Sequence, residues 1–254
     1  MSITGVELQD ARVVVTGGSR GLGLGIVEAL LARGAQVTVV ARDPERLADV
    51  ERLGAAARPG DVTDPALMSV VVADVKPSVL ILNAGATPLM APLDEQTWDA
   101  FTAVWDTDVK AGLYGIQAAL KGPLADGARV LIVSSGAAIA GNPLSGGYAG
   151  AKRMLWLMAH YANGLASERG LGMHFQVLVP QQIVGETALG HQAASAGARR
   201  RGLSIEAFLA ERYGAPLSPR QYGEDVATVL TDPRYATGVA YGFKSDTGIT
   251  ALDG

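Results

Sequence analysis

The sequence predicts an α/β fold: a three-layer, doubly wound and mostly parallel sheet of about seven strands, with helices on both faces. Two observations predict it. Short runs of β-branched and aliphatic residues alternate along the chain with longer segments of helical periodicity. The short runs are almost continuously apolar, as expected where helices cover both faces of a parallel sheet. Because strands and helices alternate, we expect right-handed strand–helix–strand units within one sheet.

The predicted elements fill the chain in order. Five runs are typical of buried strands, at residues 12–16, 36–41, 78–82, 129–133 and 174–179. A further strand region is expected just before Gly60. The helical patterns lie at residues 22–33, 45–53, 65–74, 97–120 and 148–169. No internal repeat, low-complexity tract or linker divides this series, so residues 1–254 are predicted to form one domain.

The composition excludes several classes of protein. A net charge of −4 gives no basic surface of the kind that binds nucleic acid. The absence of cysteine rules out disulfides, thiolate metal sites and cysteine nucleophiles, and the histidines have no metal-ligand spacing, so no metal site is predicted. Residues 1–5 lack the features of a secretory signal, and no apolar stretch approaches the ~18 residues of a membrane span. We expect a cytoplasmic protein with no membrane or nucleic-acid partner.

A glycine-rich loop follows the first strand. Residues 16–23 read T-G-G-S-R-G-L-G, so Gly17, Gly21 and Gly23 form a T-G-x-x-x-G-x-G pattern. Glycine lets the backbone approach a pyrophosphate closely, and the following helix offers free N–H groups and a positive dipole end. Glycines at a strand-to-helix turn can also be purely structural. The pattern therefore predicts a dinucleotide site only together with other segments that support one.

A second motif lies further along the chain. Ser135 follows the strand at residues 129–133, Tyr148 comes thirteen positions later, and Lys152 lies four residues beyond it. Residues four apart share a helix face, so the Lys152 ammonium can sit beside the Tyr148 phenol and favour its ionised form. Taken singly, these residues are a turn hydroxyl, a helix-start aromatic and a solvated lysine. In this order they predict an acid/base site.

The two motifs together resemble those of the short-chain dehydrogenase/reductase family, and the resemblance runs over nearly the whole chain. It implies a Rossmann-like fold and an NADP-dependent oxidoreductase that interconverts a small-molecule carbonyl and an alcohol. Tyr148 would give a proton to the substrate oxygen or take one from it. Lys152 would lower the pKa of the phenol and bind the nicotinamide ribose, and Ser135 would hydrogen-bond the substrate oxygen.

The resemblance also implies a set of cofactor-binding residues. Asp61 resembles the family's adenine-contacting acid, and Asn83 follows the fourth strand in an N-A-G sequence, with Leu82 in place of the family's first Asn. Asn83 would stabilise the strand end near the nicotinamide ribose. The full set is Gly17, Ser19, Arg20, Gly21, Leu22, Gly23, Arg42, Asp61, Val62, Asn83, Ala84, Gly85, Tyr148, Lys152, Pro180 and Ile183.

The end of the second strand bears on which dinucleotide binds. Dehydrogenases that select NAD usually place a carboxylate there for the ribose 2′-hydroxyl. This chain has Ala41, which leaves room, followed by Arg42, whose guanidinium suits a 2′-phosphate. Arg20 is a second candidate clamp. Both arginines are alternatively solvated surface charges, and Asp43 would serve the ribose of NAD if the loop register shifted. We favour NADP(H) over NAD(H).

Two positions depart from the family pattern. Asp108 stands where the family has a catalytic Asn in the helix after the fourth strand, and it is the fourth predicted catalytic residue. An ionised Asp cannot donate hydrogen bonds as the amide does, and a carboxylate near Lys152 would raise the lysine pKa. Gln181 follows Pro180 where the family typically has Gly, which adds a side chain beside the nicotinamide.

Two alternatives stand beside the oxidoreductase. The first is a cofactor-binding regulatory or scaffold protein whose catalysis has decayed. Asp108 and Gln181 favour it, whereas the intact Ser135, Tyr148 and Lys152 oppose it. The second is a lyase or dehalogenase on the same scaffold, but such relatives usually lose the glycine loop or the lysine, and this chain keeps both.

The resemblance implies a variable lid over about residues 183–222 that covers the substrate side. The residues expected around the pocket are mostly apolar: Met90, Ile139, Asn142, Leu144 and Leu189. Arg199, Arg200 and Arg201 form a dense basic run that would either meet an anionic substrate or, more simply, be a solvated helix face.

The helices at residues 97–120 and 148–169 are predicted to form a subunit interface. The second of them contains five consecutive large apolar residues at 154–158, and successive helical positions turn by about 100°, so they cannot all face one sheet. The resemblance implies a four-helix interface, and we expect a homodimer or homotetramer. The alternative is a helix that is buried on two sides within one chain.

Overall fold

A computed structural model describes residues 5–252, and it contains one eight-stranded sheet in the order β3-β2-β1-β4-β5-β6-β7-β8. The strands are β1 (Arg12–Thr16), β2 (Gln36–Ala41), β3 (Ala56–Pro59), β4 (Val79–Leu82), β5 (Arg129–Val133), β6 (His174–Pro180), β7 (Ala240–Lys244) and β8 (Gly248–Ala251). All neighbours pair in parallel except β7 and β8. The predicted mostly parallel, doubly wound α/β sheet is confirmed.

The strand count differs slightly from the predicted number of about seven. The additional strand, β8, runs antiparallel to β7 at the edge of the sheet. It begins at Gly248, whose φ of 66° lies in the left-handed region that reverses the chain. Four mixed residues in a hairpin carry no strong periodicity, so the sequence does not predict this strand.

Ten α-helices are present within residues 5–252. They are α1 (Gly21–Leu31), α2 (Pro44–Arg52), α3 (Pro65–Val75), α4 (Trp98–Val104), α5 (Lys110–Lys121), α6 (Ala137–Ala140), α7 (Tyr148–Glu168), α8 (Ala188–Arg201), α9 (Ile205–Tyr213) and α10 (Pro219–Thr231). The helix predicted at residues 97–120 is divided, because a π-helical turn at Trp105–Val109 joins α4 to α5. Such turns insert one residue into a helix and often mark functional sites.

The helices cover both faces of the sheet and form two hydrophobic cores. On one face, α1, α2 and α10 bury side chains such as Ile26, Val50 and Val226 against the strands. On the other, α3, α5 and α7 bury side chains such as Met68 and Leu155. This arrangement gives the predicted three layers, and it explains why the central strands are apolar on both faces.

The order of the strands locates the crevice where a ligand is expected. The chain runs from β1 outward to β2 and β3, and then crosses back to β4 on the other side of β1. In open α/β sheets, ligands bind at such a reversal, beyond the carboxyl ends of the strands. The predicted lid at about residues 183–222 corresponds to α8, α9 and the start of α10, which lie between β6 and β7 in the chain.

Within residues 5–252, no helix combines the length and apolar character that a membrane crossing needs. The same residues contain no cluster of acidic or histidine side chains suited to a metal ion.

Candidate active site

A cavity of about 1250 Å³ opens at the carboxyl ends of the strands. It brings together the glycine loop after β1, the ends of β2, β4, β5 and β6, the start of α7 and parts of α8 and α9. Each residue predicted for catalysis or cofactor binding lines it, with one exception. That exception is Asp61, which lies between the lining residues Gly60 and Val62.

Thr16 and Asn83 hold the ends of β1 and β4 in register. The buried Thr16 hydroxyl accepts hydrogen bonds from the backbone N–H groups of Asn83 and Ala84, at 3.0 and 3.1 Å. The Asn83 side-chain amide donates to the carbonyl oxygens of Thr16 and Gly17, both at 3.1 Å. The predicted role of Asn83 at a strand end therefore has a physical basis, and its partner Thr16 fixes the start of the glycine loop.

The glycine loop fits a ligand that approaches the backbone itself. Gly17 and Gly21 have φ values of 66° and 55°, which side-chain-bearing residues rarely adopt. A Cβ on Gly23 would stand 2.3 Å from the Gly17 carbonyl oxygen. Helix α1 begins at Gly21, and no side chain of residues 5–252 caps its first N–H groups. An uncapped helix N-terminus at a cavity suits an anionic group, so the loop fits the pyrophosphate of a dinucleotide.

Charged residues gather at the β2 end of the cavity. Arg20 and Arg42 both line it, and Arg42 stands 4.0 Å from the carboxylate of Asp61. Asp61 also accepts hydrogen bonds from the backbone and side chain of Thr63, which lower its pKa. Asp43 is engaged elsewhere, because its carboxylate caps the N-terminus of α2 and pairs with Arg46 at 3.0 Å. The carboxylate that would suit NAD is therefore already partnered.

The catalytic candidates meet where β5 faces the first turns of α7. Tyr148 opens that helix, so Lys152 lies one turn later on the same face, with its Nζ 5.7 Å from the centre of the Tyr148 ring. The Lys152 ammonium also donates to the carbonyl oxygen of Val133 at 3.2 Å. Ser134 fixes the helix to the strand, since its hydroxyl donates to the Lys152 carbonyl oxygen at 2.8 Å. The Ser135 side chain lies near the Tyr148 hydroxyl, close enough to lower its pKa.

Asp108 forms a buried ion pair with Lys152. The two charged atoms are 3.0 Å apart, and the side chains are 1% and 6% exposed, respectively. Asp108 sits in the π-helical turn, and its other oxygen accepts hydrogen bonds from the Ala86 N–H at 2.7 Å and the Thr107 hydroxyl at 3.1 Å. A Cβ on Gly85 would stand 2.8 Å from the carboxylate, so glycine there leaves it room. The carboxylate expected near Lys152 is thus part of the site.

The pKa shifts of the pair follow from burial and charge. Burial raises the pKa of Tyr148 most, the Lys152 ammonium lowers it, the Asp108 carboxylate raises it and the Ser135 hydrogen bond lowers it. The net direction is upward. Burial by itself would lower the pKa of Lys152, but Asp108 and Tyr148 raise it above its ordinary value. The predicted influence of Lys152 on the phenol is present, but burial outweighs it, and burial could not be read from residue spacing.

Two glutamines after β6 have different surroundings. Gln181 directs its side-chain oxygen towards β7, where it lies 2.7 Å from the place that a Cβ on Gly242 would occupy. Gln182 is buried, donates to the carbonyl oxygen of Ala215 at 3.2 Å and accepts from the Ser245 N–H at 2.7 Å. Gln182 therefore joins the end of α9 to the turn after β7. The tip of the Gln181 side chain, which we expected beside the nicotinamide, packs instead against β7.

Sequence reasoning missed three residues that shape the cavity. They are Ser134, Gln182 and Thr187. Thr187 caps α8 through its hydroxyl, which accepts from the Gly190 N–H at 2.9 Å, and its methyl group would lie 3.3 Å from a Cβ on Gly21. The T-x-x-G spacing before α8 is a helix-start signal that would have indicated the cap, whereas its approach to the glycine loop depends on the tertiary fold.

Comparison with known protein families gives one match over most of the chain. Residues 11–183 match a family model described as short chain dehydrogenase. The matched region contains both motifs and each predicted catalytic residue.

Individual relatives are between 26% and 36% identical to this chain over the residues that align. A probable oxidoreductase of Streptomyces lividans is 36% identical over 52% of this chain and 47% of its own length, and an L-xylulose reductase of Cavia porcellus is 33% identical over 50% and 53%. The chain thus spans about half the length of these curated relatives. An L-fucose dehydrogenase of Rattus norvegicus is 26% identical over 89% of this chain and 85% of its own.

Two solved structures are similar over nearly the full chain. A blue fluorescent protein from a metagenomic library, in complex with NADPH, has a TM-score of 0.73 and 28% identity, covering 94% of this chain and 98% of its own. A short chain dehydrogenase from Burkholderia cenocepacia, in complex with NADP, has a TM-score of 0.72 and 25% identity, covering 96% and 99%.

Proposed function

Because the chain belongs to the short-chain dehydrogenase family, an oxidoreductase family, we propose that it interconverts a carbonyl compound and its alcohol, with Tyr148 as the acid and base. One observation carries the proposal. Ser135, Tyr148 and the Lys152–Asp108 pair meet at one end of a cavity whose other end is an uncapped glycine loop. An acid/base group and an anion-binding loop that line the same cavity support the proposal that one dinucleotide and one substrate bind there together.

The residues have separate tasks in this proposal. When bound, a nicotinamide dinucleotide supplies or accepts the hydride. Ser135 donates a hydrogen bond to the substrate oxygen and holds it against the Tyr148 hydroxyl. During reduction, Tyr148 gives its proton to that oxygen, and the adjacent Lys152 ammonium stabilises the phenolate that is left. During oxidation, the same proton moves from the alcohol to Tyr148.

We further propose a preference for NADP(H). Arg20 and Arg42 line the β2 end of the cavity, and a guanidinium suits a phosphate through charge-assisted hydrogen bonds. Asp43, the residue best placed to favour NAD, is engaged by α2 and Arg46. The NADPH and NADP named with the two similar structures support this preference.

The alternative of a scaffold protein with decayed catalysis rests on Asp108 and Gln181. The site geometry favours the enzyme instead. Asp108 keeps Lys152 charged and close to Tyr148 rather than displacing it, and the tip of the Gln181 side chain packs against β7. Neither departure separates the catalytic groups.

We also propose that the protein is a homodimer or homotetramer. The reason is not the apolar run at residues 154–158, because Leu155, Trp156 and Met158 are buried within the chain. Other large apolar side chains on the same helices are exposed: Trp98, Trp105, Leu113, Tyr161 and Leu165. Apolar side chains grouped on neighbouring helices are typical of a subunit interface.

The experiment that tests the catalytic proposal is the change Tyr148→Phe. NADPH consumption is followed with a panel of small aldehydes and ketones, and the variant is expected to lose turnover by at least about a hundredfold, the usual contribution of a general acid. Its affinity for NADPH should be nearly unchanged. The matched control is Tyr161→Phe, an exposed tyrosine on the same helix, which should behave as the native protein. Retained turnover in Tyr148→Phe would refute the assigned mechanism.

A further inference from the structure

Basic side chains line the cavity where the ends of α8, α9 and β7 reach it. Arg200 and Arg201 at the end of α8, Arg212 at the end of α9 and Lys244 at the end of β7 all line the cavity. The sequence alone favoured a solvated helix face for the α8 run. Arg200, Arg201 and Arg212 are exposed, but Arg200 and Arg201 of the α8 run also line the cavity.

Three contacts bring these separate elements together. Arg201 pairs with Glu211 at 2.7 Å, which joins the end of α8 to α9. The Ala215 carbonyl oxygen accepts hydrogen bonds from Gln182 at 3.2 Å and from the Ser245 hydroxyl at 2.6 Å. Since Ser245 follows Lys244 directly, the segment after Arg212 is fixed beside the end of β7. The ends of α8, α9 and β7, which carry the basic residues, are thereby linked on one side of the cavity, which we call the basic corner.

Two of these cations have no partner among residues 5–252. Arg201 is paired with Glu211, and the Arg212 guanidinium bonds and stacks on Tyr213. The side chains of Arg200 and Lys244, in contrast, have no hydrogen bond or ion pair within the described part of the chain. Lys244 is half-buried, whereas Arg200 is exposed.

The strand order separates this corner from the cofactor phosphate clamp. Arg42 follows β2, Ser135 follows β5 and Lys244 ends β7. With about 4.8 Å between neighbouring strands, Lys244 lies about 24 Å along the sheet from Arg42 but only about 10 Å from Ser135. A dinucleotide that reaches from the β2 end to the catalytic groups stops short of β7. Lys244 therefore lies beyond the catalytic groups, on the side away from the cofactor phosphate clamp.

We propose that the substrate carries an anionic group, a carboxylate or a phosphate, which Arg200 and Lys244 bind while its carbonyl lies against Ser135 and Tyr148. The inference rests on the proposed function and names the substrate class of the same site. Two unpaired cations that line one cavity, one half-buried and one exposed, attract an anion through charge-assisted contacts. Glu186, the acid on the lid that also lines the cavity, pairs with neither of them and is exposed.

The test compares rigid aldehydes that differ in charge. The probes are para-carboxybenzaldehyde, para-formylphenyl phosphate and the neutral methyl ester of the first, each reduced with NADPH. We expect kcat/KM to be at least about tenfold higher for one or both anions than for the ester, and to fall with salt. The variants Arg200→Gln and Lys244→Gln should remove most of this ratio, whereas Arg199→Gln, an exposed neighbour outside the cavity lining, should keep it.

A binding measurement separates this inference from the proposed function. Calorimetry with para-carboxybenzyl alcohol and NADPH, two reduced compounds that cannot react with each other, should show binding to the native protein that weakens about tenfold in Lys244→Gln. Equal kcat/KM for the anions and the ester, with no effect of Lys244→Gln, overturns the inference and leaves the oxidoreductase proposal standing. Anion binding that depends on Lys244, without turnover of any carbonyl, supports the anion site and counts against the proposed function. Preference for the phosphate or for the carboxylate identifies which anion the corner accepts.

Discussion

At the residue scale, the exchange of an amide for a carboxylate at position 108 changes the electrostatics of the whole catalytic group. Asp108 lies 3.0 Å from Lys152 and raises the pKa of both Lys152 and Tyr148. The lysine therefore stays charged, but part of its field at the phenol is cancelled. Tyr148 is consequently a weaker acid here than its motif alone predicts.

The change Asp108→Asn tests this electrostatic role. Without the carboxylate, the pKa of Tyr148 should fall. Alcohol oxidation needs the phenolate, so its kcat/KM rises with pH through this pKa, and the rise should move to lower pH in the variant. Asp106→Asn, an exposed acid in the same π-helical turn, is the matched control and should leave the profile in place. A profile that stays fixed, or moves to higher pH, in Asp108→Asn would contradict the assignment.

The sequence predicts which residues meet at the site better than it predicts the pKa values of those residues. The spacing of Ser135, Tyr148 and Lys152 identifies the groups that meet in the cavity. It does not predict the direction of the Tyr148 pKa, because burial is a property of the folded chain. The sequence does not predict the roles of Gln182 and Thr187. The residues that they contact lie far away in the chain, near Ser245 for Gln182 and at Gly21 of the glycine loop for Thr187.

At the element scale, the glycine loop is supported from behind by two interlocked helices. A Cβ on Gly25 of α1 would stand 2.0 Å from the Pro219 carbonyl oxygen, and a Cβ on Gly223 of α10 would stand 2.0 Å from the Gly25 carbonyl oxygen. The backbones of α1 and α10 are thus in direct contact. The N-terminus of α1, where the pyrophosphate is proposed to bind, is held in place by this contact.

The changes Gly25→Ala and Gly164→Ala test the close backbone contact between α1 and α10. Gly25→Ala forces the two helices apart and should lower the free energy of unfolding by about 1–3 kcal/mol. Gly164 lies within α7 with nothing within 4 Å of its added Cβ, so Gly164→Ala should raise stability by about 0.5–1 kcal/mol. Urea unfolding followed by circular dichroism measures both. Equal effects of the two changes would show that helix propensity alone acts at these positions.

The helix predicted at residues 97–120 differs from the structure because contacts with another helix override its local pattern. The long apolar segment at residues 97–120 has continuous helical periodicity, yet a π-helical turn at Trp105–Val109 interrupts it. That turn places Asp108 against Lys152 and lets the Trp105 indole N–H donate to the Gly147 carbonyl oxygen at 3.2 Å. Both contacts are made with α7, so the sequence of the segment itself could not predict them.

At the scale of the whole molecule, the class of sheet is predictable from the sequence, whereas the outer surfaces are not. Alternating apolar runs and helical patterns predict a doubly wound parallel sheet, and the strand reversal beside β1 then locates the site. The basic corner at Arg200 and Lys244 joins segments that are more than forty residues apart in the chain, so charge runs in the sequence do not predict it.

The proposed oligomer is tested by sedimentation velocity. The native protein should sediment as a dimer or tetramer, because the exposed apolar residues of α4, α5 and α7 would be covered by another subunit. Leu113→Asp places a charge on this surface and should shift the protein towards monomer. Leu53→Asp, a similarly exposed leucine at the end of α2, is the control and should leave the state unchanged. A native monomer would contradict the proposal.

Arg42→Ala tests the proposed phosphate clamp. Removal of the guanidinium should weaken NADPH binding by about tenfold and NADH binding much less, since only NADPH carries the 2′-phosphate. Arg52→Ala, an exposed arginine at the far end of α2 and outside the cavity lining, is the matched control. Equal losses of affinity for NADPH and NADH in Arg42→Ala would show that Arg42 does not bind the 2′-phosphate.

The most direct test of the account is a titration of the purified protein with NADPH and, separately, with NADH, followed by quenching of its tryptophan fluorescence. We expect tight binding of NADPH and weaker binding of NADH if the glycine loop and the arginines at the β2 end form the proposed dinucleotide site. Failure to bind either dinucleotide would contradict it, since the glycine loop would then be only a structural turn and the scaffold alternative would stand.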